Sequence, residues 1–387
     1  MNESTMYTLY QYPHGLPVCK PAKLAGWGKA TMAQCKKTGT SFLILCMLLL
    51  LASCQEKAEQ KPSPTANPDL PTVGFLIYGK HNIYISILCD ALQKTMEGRA
   101  NLRMTFADEE SSSQQKQVEA MLDSKVDGLI LFLAQPKGIA SFMEAISMGN
   151  VPTVFLNHEP DLAILKHHEN TCFVGTLAEE SGMLQGEILK KLWDAHPEYD
   201  RNNDGKFQYI MLQGPSHSVE ALHRSEYSIS RARELGLFMK QVQQDLICNW
   251  NEQEAFEAMT EILASGIGEI EVVISNNDSM ALGAIQALAA LGYNTEDSPA
   301  DRFIPVIGVD AVPDAVIAIE KGVMSATVKQ DPDATARAVT EILLNRIAGK
   351  GFLDGQDLEW DSSGVAIRLP FHIFGTMNLT PAGGGQP

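Results

Sequence analysis

Short apolar runs alternate with stretches of helical periodicity along most of the chain. Residues 73–78 are apolar apart from Gly74, which is typical of a buried strand. Residues 83–96 then repeat apolar positions at helical spacing. Continuous apolar strands that alternate with amphipathic helices predict parallel sheets covered by helices on both faces. The other predicted strands are 103–106, 128–133, 153–156, 207–212, 246–250, 271–275 and 305–309, and the other helices are 114–122, 139–148, 218–237, 252–264, 277–291 and 334–347.

The length and the strand ends together predict a two-domain protein with a ligand site. A chain of 387 residues exceeds what a single compact core normally absorbs. In parallel sheets, ligands bind beyond the carboxyl ends of the strands. Asn82 and Tyr84 follow the first strand, Asn277 follows strand 271–275, and Asp310 follows strand 305–309. We therefore predict a site at these strand ends.

The apolar run at 42–51 has the features of an export signal. It is too short to cross a bilayer comfortably, and it follows Lys36 and Lys37. Small residues at 52–53 stand directly before Cys54, which resembles the lipobox of bacterial lipoproteins. This resemblance implies cleavage before Cys54 and lipidation of its thiol. An ordinary signal peptide and an uncleaved membrane anchor are the alternatives.

The remaining terminal segments contain nothing that would form a core. Residues 1–31 show no signal or domain pattern, so our hypothesis is that translation begins at Met32 and the signal peptide spans 32–53. Residues 54–71 are polar and proline-rich and predict a tether, and the glycine-rich end at 380–387 predicts a flexible tail.

Charge and cysteine content narrow the possible partners. The net charge of −17 argues against binding of nucleic acid or anionic lipid headgroups, but it permits a neutral ligand. We therefore expect contact with a membrane only through the lipid anchor. Beyond Cys54, the cysteines at 89, 172 and 248 are widely spaced, which predicts buried thiols rather than disulfides or a zinc site.

Several segments, taken in their order and spacing, resemble a known family. They are Val73-Gly74-Phe75-Leu76-Ile77-Tyr78, Asn157-His158-Glu159-Pro160, Phe173-Val174-Gly175-Thr176, Glu180-Ser181-Gly182 with Gln185-Gly186, Glu271-Val272-Val273-Ile274-Ser275-Asn276-Asn277-Asp278, Gly308-Val309-Asp310-Ala311 with Pro313, and Arg368-Leu369-Pro370-Phe371. Over residues 72–371 the chain resembles the periplasmic galactose/glucose-binding proteins of the type I solute-receptor class.

This resemblance implies two doubly wound α/β lobes, each with a parallel sheet, joined by three crossings of the chain. The crossings are expected near Val151, Gln330 and Ile367. The first lobe would then comprise 72–150 with 331–366, and the second lobe 151–330 with 367–379.

Residues 200–208, DRNNDGKFQ, have the spacing of a calcium-binding loop with Gly205 at the sharp turn. An EF-hand needs a glutamate at position twelve, where Met211 stands. The galactose/glucose receptors take this ligand from a distant strand, and the resemblance places Glu271 there, which implies a structural Ca²⁺ ion. The alternative is a surface turn rich in asparagine and aspartate. The loop ligands would be Asp200, Asn202, Asp204, the carbonyl oxygen of Lys206, and Gln208.

The resemblance also implies a sugar site built from aromatic rings and planar polar groups. Tyr84 and Trp250 correspond to the two rings that sandwich a pyranose, one from each lobe. Arg224 can donate to two oxygens, and Asp310 can accept from two hydroxyls. The other implied sugar-binding residues are Asn82, Phe132, His217 (after a one-residue shift), Glu220, Asn277 and Gln330.

Some of these positions depart from the family pattern. Asn82 and Glu220 stand where the family has aspartate, and Phe132 and Gln330 stand where it has asparagine. Phe132 offers neither donor nor acceptor, and an unpaired sugar hydroxyl beside it would cost about 1–3 kcal/mol. The ligand is therefore expected to be glucose bound differently, or a sugar that lacks a group at that edge.

Each candidate also has a plain structural alternative. Trp250 could cap the core, Phe132 could face inward, and Arg224 could form a helical i,i+4 ion pair with Glu220. His158, His167 and His168 are interpreted as surface residues.

The implied function is capture of a galactose- or glucose-like hexose by hinge closure and its delivery to an ABC importer. The receptor is expected to be an exported, lipid-anchored monomer. No GxSxG, P-loop or HExxH motif indicates an enzyme, and residues 1–71 hold no DNA-binding head. The alternatives are a receptor that signals to a chemoreceptor or sensor kinase, and the same scaffold binding a different small sugar.

Overall fold

The computed structural model describes residues 67–78, 83–107, 111–133, 139–266, 268 and 270–375. The predicted signal peptide, the lipidation site at Cys54, most of the tether, the sugar contact at Asn82 and the tail at 380–387 lie outside the described residues.

The first lobe is built from alternating strands and helices, and the chain returns to it near the carboxyl terminus. Its elements are β1 (Thr72–Tyr78), α1 (Ile83–Met96), β2 (Asn101–Ala107), α2 (Ser111–Asp123), β3 (Gly128–Phe132), α3 (Ala140–Gly149), β4 (Thr153–Leu156), α4 (Leu162–Leu165), β5 (Thr171–Gly175), and later α10 (Pro332–Ile347) and β12 (Ala366–Arg368). The six strands are all parallel, in the order β12-β5-β4-β3-β1-β2.

The second lobe repeats this architecture. Its elements are α5 (Ala178–Ala195), β6 (Phe207–Gln213), α6 (Val219–Glu234), β7 (Met239–Gln241), β8 (Leu246–Ile247), α7 (Glu252–Ala264), β9 (Val272–Ser275), α8 (Asp278–Ala289), β10 (Val306–Asp310), α9 (Pro313–Glu320), β11 (Ala326–Lys329) and β13 (His372–Gly375). The sheet order is β13-β11-β10-β9-β6-β7, with β8 beside β6, and β13 alone runs antiparallel.

Both sheets are buried on both faces, and this explains the uninterrupted apolar runs in the sequence. Every residue of β3 and of β6 is buried. In the first lobe, α1 and α10 cover one face while α2 and α3 cover the other. In the second lobe, α7, α8 and α9 cover one face while α5 and α6 cover the other. The predicted fold class, two doubly wound parallel α/β lobes, is confirmed.

The first crossing between the lobes differs from its predicted position. β4 pairs with β3 and with β5, so both β4 and β5 belong to the first sheet and the chain crosses after Gly175, not near Val151. The second crossing is at 330–331, between β11 and α10. The third is at 369–371, because Ile367 still pairs with β5 in the first sheet. The prediction that assigned 151–175 to the second lobe was therefore wrong.

Helices α5 and α6 approach closely because α5 presents two glycines to α6. A Cβ on Gly186 would lie 2.9 Å from the backbone nitrogen of Ala232, and a Cβ on Gly182 would lie 3.0 Å from the carbonyl oxygen of Arg224. Distances this short leave no room for a methyl group. The pair of glycines, which we call the α5–α6 seam, therefore fixes the position of the helix that carries Arg224.

The cysteine prediction is confirmed for the described part of the chain. Cys89, Cys172 and Cys248 are free and buried. Among the helices that the structure describes, none is long and apolar enough to span a bilayer.

Gly186→Ala should destabilise the protein because the added methyl group must push α5 away from the α6 backbone. We expect a loss of about 1–3 kcal/mol in the free energy of unfolding, measured by denaturant titration. Gly149→Ala at the end of α3 is the matched control, because its Cβ would meet no atom closer than 3.4 Å. Equal unfolding midpoints for Gly186→Ala and Gly149→Ala would contradict the conclusion that the α5–α6 seam leaves no room for a methyl group.

Candidate functional site

A cavity of about 610 Å³ lies between the two lobes, at the carboxyl ends of their strands. Side chains from both lobes line it, as expected for ligand sites in parallel α/β sheets. Most of the residues predicted for the sugar site are brought together here, although they lie far apart in the sequence. Those lining the cavity are Tyr84, Phe132, Glu220, Arg224, Trp250, Asn277, Asp310 and Gln330.

Arg224 is a buried cation at the centre of the second-lobe side. It lies on α6, and its Nη1 donates to the carbonyl oxygen of Asn276 at 2.6 Å, while its Nη2 donates to Gln330 Oε1 at 3.4 Å. Its guanidinium also lies over the Trp250 ring, 5.6 Å from the centroid. The Nε group is buried and has no hydrogen-bond partner among the described residues. A buried donor without a partner is costly, so Nε is available to a ligand oxygen.

Asp310 ends strand β10 beside this guanidinium, with its Oδ1 3.9 Å from Arg224 Nη1. Its φ of 117° is in the region that glycine favours, so the backbone here is strained. Burial raises the pKa of Asp310 to about 7, although the charge of Arg224 acts in the opposite direction. A carboxylate held in this way can accept hydrogen bonds from ligand hydroxyls.

Asp278 supports Asp310 from behind. It is fully buried at the start of α8, where its Oδ1 accepts from Thr327 Oγ1 at 2.6 Å and its Oδ2 accepts from the backbone nitrogen of Val312 at 2.9 Å. Burial, and after it the charge of Asp310, raises the pKa of Asp278 well above its ordinary value. Its oxygens therefore hold the loop after β10 rather than reach the ligand.

Two aromatic side chains that were predicted to sandwich the ligand both border the cavity. Trp250 packs so closely on Gly214 that a Cβ there would lie 2.4 Å from the ring. Asn277 fixes the Trp250 backbone, because its Nδ2 donates to the Trp250 carbonyl at 3.3 Å. Tyr84 is nearly buried on α1, and this burial, together with the charge of Asp310, raises the pKa of its phenol.

Phe132 borders the cavity and also belongs to the core of the first lobe. Its ring is fully buried and makes edge-to-face contacts with Tyr78, at 4.9 Å between centroids, and with His158, at 5.3 Å. Phe132 therefore faces the core, as its structural alternative has it, and also lines the cavity, while its contact with a ligand stays a prediction.

The predicted role of His217 is wrong. His217 is exposed and does not line the cavity, because the loop after β6 points it towards solvent. His158, which was interpreted as a surface residue, lines the cavity instead. It stands two residues after the end of β4, and its Nδ1 lies 2.8 Å from the carbonyl oxygen of Leu133.

Other cavity residues were missed although their positions carried a signal. Tyr78 ends β1 and Asn157 follows β4, so both stand at the carboxyl ends of parallel strands. Glu159 lines the cavity and forms an ion pair with Arg368. Glu179 and His223, 2.9 Å apart, stand on facing helices of the second lobe.

Gln330 and Glu220 stand where the two lobes meet. Gln330 Nε2 donates to Asn157 Oδ1 of the first lobe at 3.0 Å. Glu220 Oε2 accepts from Ser218 Oγ at 2.8 Å. Burial acts to raise the pKa of Glu220, but His158 across the cavity, when its ring is protonated, and the hydrogen bonds at the start of α6 outweigh it and lower this pKa. The two lobes are therefore in electrostatic contact through the cavity.

The 200–208 loop is folded around its own side chains, far from the cavity lining. The two oxygens of Asp200 accept from the backbone nitrogens of Asp204 and Gly205, each at 3.0 Å, and Gly205 has the positive φ of 71° that the turn requires. The buried Glu271 accepts from the backbone nitrogens of Arg201, at 2.7 Å, and Gln208, at 3.0 Å.

One acceptor atom of this loop takes part in no hydrogen bond among the described residues. Gln208 Oε1 is buried and has no hydrogen-bond partner among the described residues, whereas Gln208 Nε2 donates to Asp204 Oδ2 at 3.1 Å. Within the described ranges, no three His, Cys, Asp or Glu side chains are grouped as metal ligands. A cation here would therefore depend on amide and carbonyl oxygens as well as on carboxylates, which is the mixed oxygen set that calcium accepts.

Comparison with known proteins agrees with this architecture. The profile of the family described as "Periplasmic binding protein domain" matches residues 73–351. The D-galactose/methyl-galactoside binding periplasmic protein of Haemophilus influenzae is 31% identical over 302 residues, which cover 77% of this chain and 88% of that protein. A putative rhizopine-binding protein of Rhizobium meliloti is 28% identical over 62% of this chain and 71% of its own length.

Solved structures share the fold at lower identity. A galactofuranose binding protein superposes with a TM-score of 0.64 at 18% identity, covering 79% of this chain and 94% of that one. A solute binding protein from Bacillus halodurans with bound myo-inositol gives a TM-score of 0.63 at 23% identity, covering 80% and 96%. With two parallel α/β lobes, a cavity between them and a family profile that matches most of its length, the chain belongs to the periplasmic binding protein domain family of non-catalytic solute-binding proteins.

Proposed function

We propose that this protein captures a monosaccharide between its lobes and delivers it to an ABC importer. The observation that carries the proposal is the cavity itself, where two aromatic rings and a cluster of planar polar groups come from both lobes. A sugar has hydroxyls around its edge and C–H groups on its faces, so it needs these two kinds of partner. The names of the relatives, which include galactose, ribose and fructose binding proteins, support the same ligand class.

The mechanism is closure of the lobes around the ligand. Arg224, Asn277 and Asp310 belong to the second lobe, while Tyr84 and Phe132 belong to the first, so only closed lobes complete the set of contacts. A ligand that touches both lobes binds the closed state better and shifts the population towards it. Gln330 contacts Asn157 at a crossing of the chain and would therefore sense the angle between the lobes.

The site favours a galactose- or glucose-like hexose over a charged ligand. Asp310 and Arg224 lie 3.9 Å apart and largely balance each other, which leaves donors and acceptors for neutral hydroxyls. The relative that is 31% identical carries galactose in its name, which supports this choice. Lipidation at Cys54 would hold such a receptor on the outer side of a bacterial membrane, next to its importer.

We also propose that the 200–208 loop binds a structural calcium ion. The ligands would be Asp200, Asn202, Asp204, the Lys206 carbonyl, Gln208 and Glu271. The fit is supported by Gln208 Oε1, a buried acceptor that lacks a partner among the described residues, and by the buried carboxylate of Glu271 at the same loop. Bound calcium would neutralise these carboxylates and brace the second lobe.

Sugar binding should depend on Asp310. Isothermal titration with D-galactose and D-glucose should give binding for the parent protein, and Asp310→Asn should weaken it about 10- to 100-fold because charge-assisted hydrogen bonds are lost. Asp357→Asn, on an exposed loop, is the matched control and should bind like the parent protein. The absence of binding with every hexose, pentose and cyclitol tested would refute the proposed ligand class.

Affinity should rise with pH until about pH 7. Ligand-free Asp310 has a pKa of about 7, and hydroxyls that donate to its carboxylate favour the ionised form, so binding lowers this pKa and releases a proton. Below pH 7 the affinity should fall by up to about tenfold per pH unit, and above it the affinity should level off. Isothermal titrations with the sugar between pH 5 and 8.5 measure how the affinity changes with pH. If Asp310→Asn shows the same dependence on pH, a group other than Asp310 causes it.

Calcium should stabilise the protein. At a calcium concentration about a hundred times the dissociation constant, the expected gain is about 3 kcal/mol, seen as a higher melting temperature than in EDTA. Glu271→Gln should remove most of that gain, whereas the exposed Glu261→Gln should keep it. Identical melting of the parent protein in calcium and in EDTA would rule the site out.

A further inference from the structure

Three side chains of the first lobe form one side of the cavity, which we call the aromatic wall. Tyr78 ends β1, Phe132 ends β3, and His158 follows β4, and these strands are neighbours in the sheet. Tyr78 and His158 are 4.6 Å apart between ring centroids, and Phe132 contacts both rings edge to face. The three rings therefore pack as one unit, and all three line the cavity.

The hydrogen-bond donors of this wall are already used within it. His158 Nδ1 lies 2.8 Å from the carbonyl oxygen of Leu133, which can only accept, so Nδ1 carries the proton of the neutral ring. His158 Nε2 is then an acceptor, and the Tyr78 hydroxyl, 3.2 Å away, donates to it. The Phe132 side chain has no polar atom, and its carbonyl oxygen accepts from Gln114 Nε2 at 2.7 Å.

The opposite side of the cavity has the reverse character. Arg224, whose Nε has no hydrogen-bond partner among the described residues, lines the cavity from the second lobe together with the Asp310 carboxylate and Asn277. A ligand that fits both sides therefore has hydroxyls on one edge and an apolar group on the other. On the apolar edge, a hydroxyl would be removed from water without receiving a donor from the wall, whereas a hydrogen atom or a methyl group would pack against the rings.

We infer that the preferred ligand is a deoxy sugar, with a hydrogen or methyl group in place of the hydroxyl or hydroxymethyl group that faces the aromatic wall. This inference rests on the proposed sugar-binding function and specifies the chemical class of the ligand. The wall orients the sugar ring in the cavity and weakens the binding of fully hydroxylated hexoses such as galactose and glucose relative to their deoxy forms, because one of their groups would face the wall without receiving a hydrogen-bond donor from it.

The test compares pairs of sugars that differ by one oxygen atom. Dissociation constants are measured by isothermal titration for galactose against 6-deoxygalactose, mannose against 6-deoxymannose, and glucose against 2-deoxyglucose and 6-deoxyglucose. At least one deoxy sugar should bind about 10- to 100-fold more tightly than its parent. If every parent sugar binds as tightly as its deoxy partner or more tightly, the inference is overturned and the proposed function stands. If no sugar binds, the proposed function fails as well.

A substitution in the aromatic wall tests whether the wall causes the preference for deoxy sugars. His158→Gln places an amide donor where the imidazole acceptor was, so the ratio between deoxy and parent sugar should fall towards one as the parent gains affinity. His167→Gln, the same change at an exposed histidine outside the cavity, should keep the ratio of the unmodified protein. Melting temperatures of both variants verify that they are folded. An unchanged ratio in His158→Gln would overturn the wall as the source of the preference.

Discussion

The common direction of the strands is the constraint on which the cavity depends. In a parallel sheet every strand ends at the same edge, so residues that follow different strands meet even when they lie far apart in the chain. Tyr78 and His158 are separated by 80 residues and still share a hydrogen bond, because β1 and β4 flank β3 and end beside it. The same rule brings Asn277 and Asp310 together at the end of the second sheet. The three crossings then place the two edges on opposite sides of one space.

On the second-lobe side of the cavity, the structure buries charged side chains that the packing of this lobe does not require. Arg224 is the cation beside Asp310, and Asp278 lies directly behind. Buried charges cost free energy unless they are paired and hydrogen-bonded, and the raised pKa values of both aspartates express that cost. The strained backbone of Asp310 adds to it. The fold tolerates these terms because the large apolar cores on both faces of each sheet supply the stability.

The sequence specifies the elements better than their arrangement. Periodicity places α1 at residues 83–96 and most of the predicted strands within one or two residues, because strands buried on both faces form continuous apolar runs. It does not predict the strands β5, β7, β11, β12 and β13 or the helices α5 and α9. The same pattern cannot say which sheet a strand joins, so the segment 151–175, which contains β4 and β5, was predicted in the second lobe although its strands pair in the first sheet.

The residues of the site show the same difference between what the local pattern predicts and what depends on the tertiary arrangement. Side chains fixed to strand ends, such as Asp310, could be placed from the sequence because the strand itself positions them. His217 could not, because it lies in a loop whose path depends on tertiary contacts. The role of His158 depends on Tyr78 and on the Leu133 carbonyl, two partners that no local pattern around residue 158 reveals.

The α5–α6 seam has a consequence for how such a receptor can diverge. Gly182 packs against the carbonyl oxygen of Arg224, so the backbone that carries the central cation is held by a residue that never meets the ligand. Small changes in the spacing of these two helices would move the guanidinium by fractions of an ångström while every lining residue stayed the same. Lineages that share an identical cavity lining could therefore differ in their working concentration of nutrient, and inspection of the contact residues alone would miss the cause.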